Sequence, residues 1–123
     1  MELILKEEAY KIIGICMEGH NNLGAGFLEI VYKDALELEL FRAGISYDRE
    51  KEYVVNDKNA ILPHKFYADF VVFDSVILEV KGKSGIADED MAQGLNYLKV
   101  SGNRLALIVN FGELKLSYKR IVL

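Results

Sequence analysis

The chain is expected to fold as an α/β domain of the α+β type, a mixed central β-sheet flanked by helices in the order ααβββαββ. Three observations predict this. Two apolar runs with helical spacing open the chain, the period changes to that of strands after Gly44, and one later helix precedes a continuous apolar run.

Over residues 3–19, Leu5, Ala9, Ile12, Ile13, Cys16 and Met17 recur at helical spacing, and His20-Asn21-Asn22-Leu23-Gly24 supplies a break. A second helix is expected over 26–43, ended by Gly44. Its apolar stripe is read as Phe27, Val31, Ala35, Leu38 and Phe41 or Arg42, with Glu29, Tyr32, Leu36 and Leu40 on the adjacent stripe. Residues 45–55 read as a strand, Asn56-Asp57-Lys58-Asn59 as a turn, and 65–73 as a second strand that Pro63 approaches irregularly. Asp74-Ser75 separates it from a third strand at 76–81, giving a hairpin. A loop over 82–85 leads to a helix at 87–100, with Asp88, Glu89 and Asp90 at its positive end and Gly102 past its other end. Residues 105–110 are continuously apolar, as in a buried strand, and 114–122 alternate as a last strand.

A chain of 123 residues, 51% of them hydrophobic, is long enough for one core and short for two, so one domain over 1–123 is expected. With 28% charged residues, one Pro and no low-complexity stretch, it should be ordered nearly throughout. The longest apolar runs fall far short of the ~20 residues of a membrane span. Lys6-Glu7-Glu8 stands where a signal peptide would be apolar, so a soluble, cytoplasmic protein with no membrane partner is expected. Cys16, the lone cysteine, reads as a buried thiol. The net charge of −4 argues against a broad, unaided grip on duplex phosphates but agrees with acids gathered around a metal ion.

The hairpin carries the chemistry. Asp69 is followed by Glu79-Val80-Lys81, which puts two acids on strands that are otherwise apolar. Buried acids are costly unless paired or bound to metal, and two converging carboxylates suit a hard divalent cation. Lys81, two residues after Glu79, shares its face and can steady a water or a negatively charged transition state. Register tests the idea. A two-residue loop at Asp74-Ser75 would pair Asp69 with Val80 and point the two acids to opposite faces. A shared site therefore requires a three-residue loop, or a bulge between Asp69 and Phe73. Taken alone, the same residues would also make an ordinary surface ion pair.

Gln93 and Tyr97 lie four apart on the following helix, where they can reach over the end of the strand carrying Lys81; they also fit a half-exposed Gln and a core-edge Tyr. At the other end of the chain, a glycine-bearing break opens a helix that presents Glu29 and Tyr32 one turn apart. Gly26-x2-Glu29-x2-Tyr32, then Asp69, Glu79-x-Lys81 and Gln93-x3-Tyr97, resemble in kind and order the motifs of the GxxExxY family of small PD-(D/E)XK nuclease-like proteins. The resemblance runs from about His20 to Val122 and implies a restriction-endonuclease-like core. It implies that Asp69, Glu79 and the Val80 backbone carbonyl hold Mg²⁺ or Mn²⁺, that Lys81 positions the attacking water, and that Glu29 is an accessory acid near the metal. Gln93 and Tyr97 would support the site. The implied reaction is hydrolysis of a nucleic-acid phosphodiester, DNA before RNA.

Other classes find little support. No Cys/His cluster suggests zinc, no glycine-rich loop ends in Lys-Ser/Thr, and no Ser/His/Asp order stands out. His20 reads as a capping or turn residue and His64 as exposed. Lys83, Lys99, Arg104, Lys115, Lys119 and Arg120 would form a modest basic rim or simply solvate the surface. Two other readings predict different behaviour: a nuclease-fold module that binds nucleic acid or protein with little activity, with a homodimer or protein partner supplying surface, and a purely structural domain in which Asp69 and Glu79 point apart.

Overall fold

The computed structural model describes residues 3–123. Helix α1 (Lys6–Leu23) buries Ala9, Ile12, Ile13, Cys16 and His20. It runs on through His20-Asn21-Asn22, past the expected break, because the positive-φ residue that ends it is Gly24 (φ 72°), whose N–H donates to the His20 carbonyl at 2.7 Å. The Cys16 thiol is fully buried and desolvation pushes its pKa up to about 12, so it is a packing group.

Helix α2 (Glu29–Arg42) faces the core with Tyr32, Leu36 and Leu40, while Phe27, Leu38 and Phe41 are exposed. The expected stripe is thus the wrong one of two adjacent apolar stripes. Tyr32 decides which turns inward: its ring stacks on Phe111 (4.7 Å), and its hydroxyl donates to the Gly24 carbonyl (2.6 Å) and accepts the Phe27 N–H (3.2 Å). Both handles of the tyrosine are satisfied only in that orientation.

Strands β1 (Tyr47–Asp57), β2 (Ala60–Val72), β3 (Val76–Lys81), β4 (Leu105–Asn110) and β5 (Ser117–Val122) form one sheet in the order β1-β2-β3-β4-β5. All neighbours are antiparallel except β3 and β4, which run parallel across the crossover helix α3 (Asp88–Ser101). The β1–β2 hairpin is longer than expected, closing through Lys58 and Asn59, both at positive φ. Its ladder shifts register between Val54–Lys65 and Asn56–Ile61, so Leu62-Pro63-His64 face Val55. Pro63 sits in that irregularity, where a missing N–H costs no ladder bond.

The sheet is covered on both faces. Helices α1 and α2 pack on Phe70, Val72, Val76, Leu78, Val80, Leu105, Leu107 and Val109. Tyr97 and Leu98 of α3 pack on Val71, Ile77 and Ala106. Among the described residues, no helix is long and apolar enough to cross a membrane.

Candidate active site

The β2–β3 loop has three residues, Phe73-Asp74-Ser75, because Val72 pairs with Val76, Val71 with Ile77 and Phe70 with Leu78. Phe73 and Asp74 both take positive φ, and the Phe73 N–H is held by the Ser46 carbonyl at 2.9 Å. Continuing that register sets Asp69 opposite Glu79, the odd shift that a shared site requires.

The paired ladder ends at Phe70–Leu78, and the two acids fill the fork that opens beyond it. Each carboxylate takes the N–H of the other strand. The Asp69 N–H donates to Glu79 Oε2 and the Val80 N–H donates to Asp69 Oδ2, both at 2.8 Å. Residues on a strand send their N–H and C=O alternately to either side. The Lys81 carbonyl accepts the Phe111 N–H at 2.8 Å on the β4 side, and the Val80 N–H points toward β2. The Val80 carbonyl therefore faces the fork as well.

Asp69 and Glu79 are both buried. Burial first, and then the negative charge of Asp69, raise the Glu79 pKa to about 8; the Asp69 N–H, Lys81 and Lys33 pull the other way. A carboxyl whose folded pKa is raised contributes stability below its unfolded value, and that contribution is lost as pH rises through the folded one. Glu79→Gln, which keeps an acceptor and removes the charge, should accordingly be more stable than the wild type in chelator at pH 9. The gap should close toward pH 5, as read by denaturant unfolding at both.

Lys81 extends from the end of β3 toward α3, with Nζ 3.4 Å from Gln93 Oε1. Tyr97, one turn further along α3, donates its hydroxyl to the Tyr67 carbonyl at 2.9 Å and meets Phe66 edge-on. Burial, then the charges of Glu79 and Asp69, raise its pKa, so it stays protonated as a donor. Glu29 stands at the start of α2, and its Oε2 accepts the Gly82 N–H at 3.2 Å. It thus borders the Lys81-Gly82 turn, in a groove of about 500 Å³ that it shares with Gly26, Phe27, Leu28, Gly82 and Gly112.

Three contributors, Lys33, Glu50 and Asn110, lie outside the sequence reading. Lys33 of α2 places Nζ 2.7 Å from Asp69 Oδ1 and 3.1 Å from Glu50 Oε1. Burial works against its charge, but Asp69 and then Glu50 outweigh this and raise its pKa. Asn110, fully buried at the end of β4, uses its whole amide: Oδ1 accepts from Lys83 and Gly112 N–H (3.1 Å each), and Nδ2 donates to the Lys83 carbonyl and Glu113 Oε2 (2.8 Å each). It clamps the loop after Lys81. A polar residue closing the apolar run of β4 was the available signal for it. The rim is less basic at Lys83 than the sequence suggests, since Lys83 pairs with Asp90 (2.5 Å), while Arg120 keeps its charge and donates to the Ile4 carbonyl (2.6 Å). His20 is a packing residue, bonded to the Glu113 carbonyl at 2.8 Å.

The donor set fits a hard cation that keeps much of its water. Among the described residues no group of three or more His, Cys, Asp and Glu forms a ready-made cage. Two carboxylates and a carbonyl are what Mg²⁺ takes when waters and substrate phosphate complete its shell.

A family model described as the PD-(D/E)XK nuclease superfamily matches residues 6–121. No curated protein and no solved structure matches the chain.

Proposed function

The chain belongs to the PD-(D/E)XK nuclease superfamily, and on that premise we propose that it is a metal-dependent nuclease that hydrolyses phosphodiester bonds of DNA. One observation carries the reading: the three-residue hairpin loop brings Asp69 and Glu79 into a single buried fork, with Lys81 two residues on. Within the superfamily, Gly26-x2-Glu29-x2-Tyr32 supports the GxxExxY group.

Asp69, Glu79 and the Val80 carbonyl are the ligands in this reading. Mg²⁺ or Mn²⁺, when bound, neutralises developing charge and makes a water a better nucleophile. Lys81 aligns that water and stabilises charge on the phosphate, and Gln93 fixes the lysine's direction. Tyr97 ties α3 to β2 beside the fork and so supports the site. Glu29 holds the Gly82 N–H, which keeps the turn after Lys81 in place.

The test is calorimetric titration with Mn²⁺ of the wild type and of an Asp69→Ala/Glu79→Ala variant shown to be folded, beside cleavage of single- and double-stranded DNA and RNA. Metal binding and cleavage should both disappear in the variant. A wild type that binds no Mn²⁺, even with an oligonucleotide present, refutes the reading and favours a nuclease-fold binding module.

A further inference from the structure

The cation already at the fork is a lysine. Asp69 Oδ2 is committed to the Val80 N–H, which leaves Oδ1 as the oxygen free to bind a metal, and Lys33 Nζ sits 2.7 Å from it. The lysine side chain is 16% exposed, so the pair is largely withdrawn from water and its attraction is weakly screened. An incoming divalent ion must displace this ammonium or share the oxygen with it.

Glu50 supplies the other half of the arrangement. It lies between the Arg49–Phe70 and Lys51–Ala68 pairs, hence at the register position of Asp69, and its backbone takes φ 54° in mid-strand. A left-handed residue inside a strand is strained for any side chain but glycine, and such strain persists where surrounding structure fixes it. Here Glu50 Oε1 lies 3.1 Å from the same Lys33 Nζ, and its side chain is half exposed. Lys33 Nζ bridges the two acids, so a small side-chain rotation lets it release Asp69 while it stays with Glu50.

We propose that Lys33 and Glu50 form a counter-ion switch: Lys33 neutralises Asp69 while the fork holds no metal, and Glu50 receives the lysine when a divalent cation takes Asp69 Oδ1. Both are positioning residues that act through Asp69, and the inference rests on the metal reading above. The switch keeps the two buried acids from facing each other uncompensated and leaves the fork ready for a cation.

A competing account treats Lys33–Glu50 as one more tie between α2 and β1, like Arg49 with Asp34 (2.8 Å) and Glu37 (3.2 Å). A tie stabilises metal-free and metal-bound protein alike and leaves affinity unchanged. The switch moves affinity in opposite directions at its two members. Lys33→Met removes the competitor and costs the metal-free form, where the lysine neutralises Asp69, more than the metal-bound form, so Mn²⁺ should bind more tightly, on the order of tenfold. Glu50→Gln removes the receiving acid, so Mn²⁺ should bind several-fold more weakly. In Lys33→Met/Glu50→Gln the effect of Glu50 should vanish, because no lysine remains to be received.

The experiment is Mn²⁺ calorimetry on the metal-stripped wild type and these three variants, with unfolding temperature measured in chelator and in excess Mn²⁺. Tightening by Lys33→Met, weakening by Glu50→Gln and a silent Glu50 in the Lys33→Met background establish the switch. Should Lys33→Met not fold in chelator, its rescue by excess Mn²⁺ supports the switch and failure of rescue refutes it, while Glu50→Gln still reports the sign. Unchanged affinity in Lys33→Met, or weakening by Glu50→Gln that persists without Lys33, overturns it while the metal reading stands. A wild type that binds no Mn²⁺ overturns both.

Discussion

Gly112→Ala should be among the most damaging single substitutions in this chain, removing about 3 kcal/mol of stability or more. A Cβ at Gly112 would lie 2.3 Å from the Lys83 carbonyl oxygen, 2.4 Å from the Lys83 nitrogen and 2.7 Å from the Gly82 carbonyl carbon. All three are backbone atoms, so no flexible side chain can swing away. The loop after β3 must move, and Asn110 holds that loop through both Lys83 N–H and Lys83 C=O. Displacement leaves parts of a fully buried amide without partners, which adds a desolvation cost to the steric one. Thermal unfolding should fall by roughly 10 °C. The lost loop position should also move Lys81, one residue upstream of the Gly82–Lys83 pair, so cleavage should fall even at temperatures where the variant is folded. A variant with wild-type melting would show that the β3–α3 loop is slack, contrary to the clamp that Asn110 makes.

That clamp marks the boundary of what single-chain reasoning could reach. Strands β3 and β4 occupy the residues their patterns indicate, 76–81 and 105–110, because a fully buried strand is a short apolar run with sharp polar or glycine borders. The hairpin loop was legible through parity alone: only an odd offset lets Asp69 meet Glu79, and Phe73 joins the turn accordingly. Helix α2 was not legible to the same depth, since two adjacent stripes are both apolar and the choice is made by Phe111, distant in sequence, against which Tyr32 stacks. The long β1–β2 hairpin escaped for a related reason. Pro63 argues against a strand, but the register shift at Val55 absorbs it. Lys33, Glu50 and Asn110 are the clearest omissions at the site. Each acquires its role from a partner across the fold: Lys33 from Asp69, 36 positions on, Glu50 from Lys33, 17 positions back, and Asn110 from the Lys83 loop. A helix lysine or a strand glutamate has no local signature that separates it from a solvated charge.

Lys81→Met should separate metal holding from chemistry, and its expected effect on turnover is the largest of any substitution that leaves both acids in place. Lys81 lies two residues beyond Glu79 on β3, and its Nζ reaches Gln93 Oε1 at 3.4 Å on α3, which gives the ammonium a fixed direction at the mouth of the fork. Removing one preorganised group that meets developing charge lowers kcat by roughly 10²- to 10³-fold. The ligands Asp69, Glu79 and the Val80 carbonyl stay in place, so Mn²⁺ affinity measured above the Glu79 titration should be unchanged or tighter, one positive charge having left the neighbourhood. Lys81 also lowers the Glu79 pKa. Its loss should therefore raise that pKa further and carry the acidic limb of metal binding to higher pH, a shift that a residue with a merely structural role does not produce. Lys81→Arg should recover little of the rate, because a planar guanidinium presents its donors in a different geometry from the compact ammonium that Gln93 directs. The measurements are kcat and KM at saturating Mn²⁺ and calorimetric affinity across pH for wild type, Lys81→Met and Lys81→Arg. A fall in affinity that accounts for the whole loss of cleavage would make Lys81 a part of the metal's support and not of the chemical step.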